Sequence, residues 1–263
     1  TIINIQRSKM SPKAALLIID PQYDFHPSGS LAIPSSSSDA TRISKLLSLN
    51  PSPFHDVYIT LDSHHLYDIA HPGYWVKEDG TNPEPFTLIT HQDVKDGKYK
   101  TTKEDDMEWG LEYTRRLQEQ GSFTLCVWPP HCLIGTRGHA VDEVVGEGVK
   151  AWLDNNKGGE IKWVQKGECR RTEMYSCMKA EVPIPTVPST GFNHALMESF
   201  NEYDSIYVCG QARSHCVNFT VRDVLPRYNG DMVVLEDGMS DVPGFEKEGK
   251  EFIEWVKENG GKV

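Results

Sequence analysis

The chain has 263 residues, with 38 acidic against 27 basic side chains and a formal net charge of −11; 38% of it is hydrophobic. That is ample for one large α/β domain with a substantial core. An acidic chain without a Lys/Arg block is poorly suited to gripping phosphate backbones, so nucleic acid is not an expected partner. No apolar run of the roughly 18 residues that a membrane span needs occurs, so no membrane partner is expected. The N-terminal stretch Thr1–Lys13 lacks a signal-peptide core, which makes a cytoplasmic location the expectation.

Taken in chain order, Ala14–Asp20 (AALLIID) is an unbroken apolar run closed by a carboxylate, the pattern of a central parallel strand. A serine-rich loop at Ser35–Ser38 leads into a helical pattern over Ala40–Leu49, and a second strand follows at Asp56–Asp62. From Pro72 to Gln120 the chain is polar and rich in Gly, Pro and Asp, with one amphipathic stretch near Asp105–Leu117. It reads as an insertion or lid (72–120) above the sheet, not a separate domain. Strands are then predicted at Phe123–Trp128, Ile161–Lys166, Ser205–Gly210 and Met232–Asp237. They alternate with helices over Val141–Leu153, His194–Phe200, His215–Leu225 and Phe245–Gly260. This alternation predicts a single three-layer α/β/α domain over residues 1–263, doubly wound about a mainly parallel six-stranded sheet.

Open α/β sheets bind ligands beyond the carboxyl ends of their strands, and here those ends carry reactive residues. Asp20 closes the first strand, Asp62 the second and Lys166 the fourth; His131 lies just after the third and Cys216 just after the fifth. Cys216 sits in a strand–turn–helix passage with Ser214 as an expected N-cap, where a helix dipole and free N–H groups favour a thiolate and can form an oxyanion hole. Beside Cys216, the Asp20 carboxylate can take the thiol proton and the Lys166 ammonium can hold both anions. The other five cysteines, Cys126, Cys132, Cys169, Cys177 and Cys209, show no metal or disulfide spacing and read as buried thiols. Asp62 and His64, two apart in an extended segment, point the same way; with His131 they suit a divalent metal such as zinc, iron and manganese being the alternatives.

Five pieces in order, DPQYDF (Asp20–Phe25), LDSHH…HPGYW (Leu61–Trp75), WPPHCLIGTRG (Trp128–Gly138), QKGE (Gln165–Glu168) and GQARSHCVNFTVRD (Gly210–Asp223), resemble the isochorismatase-like cysteine hydrolases, in their nicotinamidase branch. The resemblance runs from about Ala14 to Met239. It implies an isochorismatase-like fold and a catalytic triad of Asp20, Lys166 and Cys216. It also implies a metal held by Asp62, His64 and His131, with His71 as a fourth ligand or a group behind the ligands. The backbone of Ala212 and Cys216 would form the oxyanion hole, a cis peptide would fall at Gln211–Ala212, and Phe25 and Trp75 would wall the substrate. The implied activity is hydrolysis of nicotinamide to nicotinate and ammonia through a thioester, in a homo-oligomer whose partner is a small-molecule amide. The alternatives are an amidase of the same triad acting on another small amide or ureide, and a catalytically silent binding protein. His215, where relatives often carry an aromatic residue, reads as packing.

Overall fold

The computed structural model describes residues 12–263, so most of Thr1–Lys13, the stretch read above for a signal-peptide core, lies outside the described residues. The elements, in order, are β1 (Ala14–Ile19), α1 (Ser36–Leu47), β2 (Asp56–Asp62), β3 (Trp75–Lys77), β4 (Thr87–Ile89), α2 (His91–Lys95), β5 (Tyr99–Thr101), α3 (Met107–Gln120), β6 (Leu125–Val127), α4 (Glu143–Asn155), β7 (Ile161–Lys166), α5 (His194–Phe200), β8 (Ser205–Gly210), α6 (Asn218–Val224), β9 (Asp231–Val234) and α7 (Glu246–Glu258). Among the described residues no helix is long and apolar enough to cross a membrane.

The central sheet has five strands in the order β7-β2-β1-β8-β9, and every pairing in it is parallel. All six residues of β1 are buried, because both faces are covered. Leu16 and Ile18 meet α1 and α4 through Ile43, Leu47, Val149 and Trp152. Ala15, Leu17 and Ile19 share the opposite cluster with Phe200 of α5, Val221 of α6 and Phe252 of α7. The result is the expected three layers, with one strand fewer than the six predicted.

The missing strand is Phe123–Trp128. Only Leu125–Val127 is extended, and it pairs antiparallel with β4 from the polar segment. Pro129 and Pro130 follow at once and cannot donate to a ladder, so the run stays short. The segment 72–120 also carries a second two-stranded pairing, β3 with β5. Its Trp75, Tyr99, Tyr113 and Leu117 enter the same apolar cluster as Ala15, Leu17 and Ile19.

The order of strands reverses at β1, which has β2 on one side and β8 on the other. This topological switch opens a crevice at the carboxyl ends of β2, β1 and β8, beside Asp62 and Asp20 and next to the turn that carries Cys216. Close approach there requires Gly210: its φ is +115°, and a Cβ would collide with the Ile19 carbonyl of β1. Gly210→Ala is expected to cost roughly 3 kcal/mol or more. Gly146→Ala, in an open stretch of α4, should instead stabilise by about 0.5–1 kcal/mol. Denaturant midpoints for the two variants check the contrast, and equal shifts would sink it.

Candidate active site

Asp20 follows β1 with φ +43°, a left-handed conformation uncommon for a non-glycine residue. Thr60 of β2 clasps it in both directions. Its hydroxyl accepts from the Asp20 N–H at 2.9 Å and donates to Asp20 Oδ1. Lys166, the last residue of β7, is fully enclosed, and its Nζ lies 3.0 Å from Asp20 Oδ2 and 3.0 Å from Asp62 Oδ1. The same nitrogen donates to the Met174 carbonyl at 2.9 Å and sits 3.6 Å from Cys216 Sγ. Gly167 must follow: its φ is +82°, and a Cβ there would press on Asp62 Oδ1 at 2.9 Å.

Cys216 lies in a π-type turn over Arg213–Val217, closed by the Val217 N–H to the Ala212 carbonyl at 3.1 Å, before α6 begins at Asn218. The helix predicted from His215 therefore starts three residues late. Ser214 does not cap it; its hydroxyl instead accepts from the Val242 N–H at 3.1 Å. The Gln211–Ala212 peptide is cis, in the place the resemblance implied. Ala212 and Cys216 both face the cavity described below.

The electrostatics of this group follow from burial. Burial pushes the Cys216 thiol well above its ordinary value, and the Lys166 ammonium offsets only part of that. Burial likewise raises the Asp20 carboxyl against the pull of Lys166. For Lys166, burial alone would favour the neutral amine, but Asp20 and Asp62 more than reverse this and keep it charged. The arrangement is a protonated thiol beside a carboxylate of raised basicity, with a fixed cation touching both. That is the requirement for general-base activation of a nucleophile.

Asp62 joins this group to a second one. Burial would raise its pKa, but His64 and Lys166 outweigh that and hold its carboxyl well below the usual range. Its Oδ2 lies 3.1 Å from His64 Nε2 and 3.5 Å from His131 Nε2. Ligand atoms of His64, His71 and His131 lie within 4.8 Å of one another, all buried. Each ring has its Nδ1 tied: His64 to Asp68 Oδ2 at 3.2 Å, His71 to the His65 carbonyl at 3.1 Å, and His131 to the Pro129 carbonyl at 2.9 Å. The partners of His71 and His131 are carbonyls, so there Nδ1 carries the hydrogen and Nε2 is left to present a lone pair. His64 has a carboxylate at each nitrogen, Asp68 on Nδ1 and Asp62 on Nε2, which outweigh burial and hold its pKa well above the usual range, so a cation bound at Nε2 would displace a proton there. His71 Nε2 is buried with no hydrogen-bond partner, and burial beside His64 pulls its pKa down to about 3, leaving it neutral. Three neutral-capable imidazoles and a carboxylate are a fitting donor set for a divalent cation, zinc above all.

Cys216 of the first group, His131 of the second and Asp62, which belongs to both, line one cavity, with Phe25, Trp128, Tyr175, Ala212, His215 and Glu173 in its walls. Trp75 is not among them. It is fully buried elsewhere, its Nε1 donating to the Ile69 carbonyl at 2.7 Å and its ring packing on Gly110 of α3. No residue of 72–120 lines the cavity, so the lid expected there contributes no wall. Trp128 lines the cavity instead, its Nε1 donating to the Tyr175 hydroxyl at 3.2 Å.

Several residues that build the site were not singled out from sequence. Gln22 bonds both backbone groups of Asp62, at 2.7 Å each, extending the ladder between β1 and β2. Asp24 accepts from the Cys132 N–H at 2.7 Å and so holds the loop that carries His131. Both lie inside DPQYDF, which was the available signal. Glu173 is buried with Oε1 3.9 Å from His64 Nε2; Asp68 and Glu173 stand in polar loops that no local pattern marks.

This architecture is the isochorismatase-like α/β/α fold, with Asp20, Asp62 and Cys216 about the topological switch. Among the solved structures that share it are nicotinamidases and pyrazinamidases. The nicotinamidase/pyrazinamidase of Acinetobacter baumannii matches at TM-score 0.66 and 20% identity, over 97% of this chain and 96% of that one. The yeast nicotinamidase matches at TM-score 0.66 and 22% identity, over 95% and 98%. The Pyrococcus horikoshii pyrazinamidase, solved in complex with zinc, matches at TM-score 0.55 and 18% identity, over 96% and 98%. No family model and no curated sequence matches this chain.

Proposed function

We propose that this chain is a metal-assisted cysteine amidohydrolase that converts nicotinamide to nicotinate and ammonia. The observation that supports it is that the buried Asp20–Lys166–Cys216 group is joined through Asp62 to the cluster of His64, His71 and His131, with Cys216, Asp62 and His131 lining one cavity. The Cys216 sulfur attacks the carboxamide carbon as its proton passes to Asp20. The backbone N–H groups of Ala212 and Cys216 hold the oxyanion. Asp20 returns the proton to the amide nitrogen, the C–N bond breaks and ammonia leaves, with the acyl group on sulfur as a thioester. Asp20 then takes a proton from water, whose oxygen attacks the thioester. The C–S bond breaks, the acid departs, and the proton returns to Cys216. Lys166 orients Asp20 and compensates the negative charge that the group carries throughout.

Asp62, His64, His71 and His131 would hold the divalent ion, which when bound supplies a Lewis acid for a pyridine nitrogen. Phe25 and Trp128 offer ring faces and edges to a flat heteroaromatic substrate. The solved relatives bound to nicotinaldehyde and to nicotinate are in keeping with such a ligand. The experiment is ammonia release from nicotinamide by zinc-loaded protein, alongside biuret and N-carbamoyl compounds. Elemental analysis is expected to find one divalent ion per chain, lost in His64→Ala. Turnover of a ureide but not nicotinamide would favour the broader same-triad amidase, and Cys216 no more reactive than the other thiols would favour a silent binding protein.

A further inference from the structure

Ala212 is buried and lines the cavity, and among the described residues its backbone N–H donates to no protein acceptor. Its two chain neighbours are held from outside the cavity. On one side the Gln211 side chain, also buried, donates through Nε2 to Asp39 Oδ2 of α1 at 2.9 Å. Gln211 Oε1 is buried without a partner, so among the described residues this is the single hydrogen bond of that carboxamide. On the other side the Arg213 N–H donates to the Ser240 carbonyl at 2.8 Å, and the Ser240 hydroxyl donates to the same Asp39 Oδ2 at 2.6 Å. Both flanks of Ala212 therefore end on one carboxylate oxygen.

Asp39 is 2% exposed and does not itself line the cavity. Arg42, one helical turn on, reaches Asp39 Oδ1 at 3.4 Å and the Asp237 carbonyl at 3.2 Å. A buried carboxylate is costly unless its oxygens are hydrogen-bonded, and here the bonds run to the turn that carries the nucleophile. A peptide unit is planar, so the placing of the Gln211 carbonyl carbon sets the direction of the Ala212 N–H. Without Asp39 the Gln211 carboxamide would be buried with neither its donor nor its acceptor satisfied. Rotation of that side chain and its peptide would relieve the penalty and turn the N–H away.

We propose that Asp39 is a positioning residue for the reaction: through Gln211 and Ser240 it directs the Ala212 N–H at the oxygen that becomes negative in the transition state. The proposal rests on the amidase reading above, in which that N–H and the Cys216 N–H hold the oxyanion. A misdirected donor weakens binding of the transition state far more than binding of the neutral amide, so the loss falls on kcat and spares KM.

The test compares metal-loaded wild type with Asp39→Ala, Gln211→Met and Asp39→Asn. It reads kcat and KM for nicotinamide and the affinities of nicotinaldehyde and 3-methylpyridine. The Cys216 sulfur adds to the aldehyde carbon, the thiol proton passes to Asp20, and the former carbonyl oxygen becomes an anion facing the Ala212 N–H. 3-Methylpyridine keeps the ring and has no carbonyl. Asp39→Ala and Gln211→Met should each lower kcat and weaken nicotinaldehyde roughly ten- to a hundredfold, with KM and the 3-methylpyridine affinity changed less than about twofold. Asp39→Asn, whose amide oxygen can accept both bonds, should recover most of that loss. Gln211→Met leaves Asp39 and Ser240 in place and carries the test should Asp39→Ala not fold. Folded variants that weaken both ligands equally, or neither, overturn the proposal and leave the amidase reading intact. Failure of metal-loaded wild type to hydrolyse nicotinamide removes both.

Discussion

Replacing Cys216 by alanine is expected to lower ammonia release from nicotinamide by at least about 10⁴-fold, as removing the nucleophile does where catalytic residues act as a unit. The thiol is the one group in the cavity able to form a covalent bond to the amide carbon, and Asp20 and Lys166 have no other sulfur to serve. Of the remaining five thiols, Cys132 has neighbours in Asp62, Asp20 and Asp24 that reinforce what burial does, pushing its pKa well up. Cys126 and Cys177 are pushed to about 12 by burial. None is positioned to substitute. Cys216→Ser should be nearly as inactive, since a hydroxyl asks far more of the same carboxylate than a thiol does. The alanine variant should keep its thermal midpoint within a few degrees, because a small side chain is lost without exposing a charge. Retained turnover in a folded Cys216→Ala would remove the thioester route altogether.

What could be read from sequence divides along physical lines. Asp20 and Asp62 were legible because each ends a buried strand run, and a central parallel strand leaves an ionisable residue nowhere to go except the open carboxyl end. Lys166 was legible only as the last residue of a strand pattern, on an edge strand whose other residues are exposed or partly exposed. His64 and His131 were legible through short-range spacing to such an end. Phe123–Trp128 looked like the other strands because apolar patterning reports burial, not partner; its partner, Thr87–Ile89, lies in a segment with no strand signature of its own. Trp75 and Trp128 show the same limit from the other side. Both flank histidines in motif-like surroundings, yet long-range packing on Gly110 buries the first, while the contact with Tyr175 holds the second in the cavity wall.

Lys166→Met is the second substitution with a large expected effect, and it acts on stability as well as turnover. Lys166 and Asp20 have side chains with no solvent exposure, and that of Asp62 is 4% exposed. Removing the ammonium leaves two carboxylates facing each other without it. Stripping one partner from a buried ionic group typically costs about 3–5 kcal/mol, or a fall of roughly 6–20 °C in the midpoint for a chain of this size. Turnover should fall with it, because Asp20 loses the contact that orients it and the thiolate loses its nearest cation, 3.6 Å away. Adding Asp20→Asn separates the two effects. The double variant Asp20→Asn/Lys166→Met has one buried carboxylate fewer and should regain part of the lost stability, while activity stays absent because the proton acceptor is gone. Non-additivity of that sign in the double-mutant cycle is the signature of a coupled charge group. If the two substitutions add independently, Lys166 is only filling space between β7 and β1, and its place in the catalytic group must be given up.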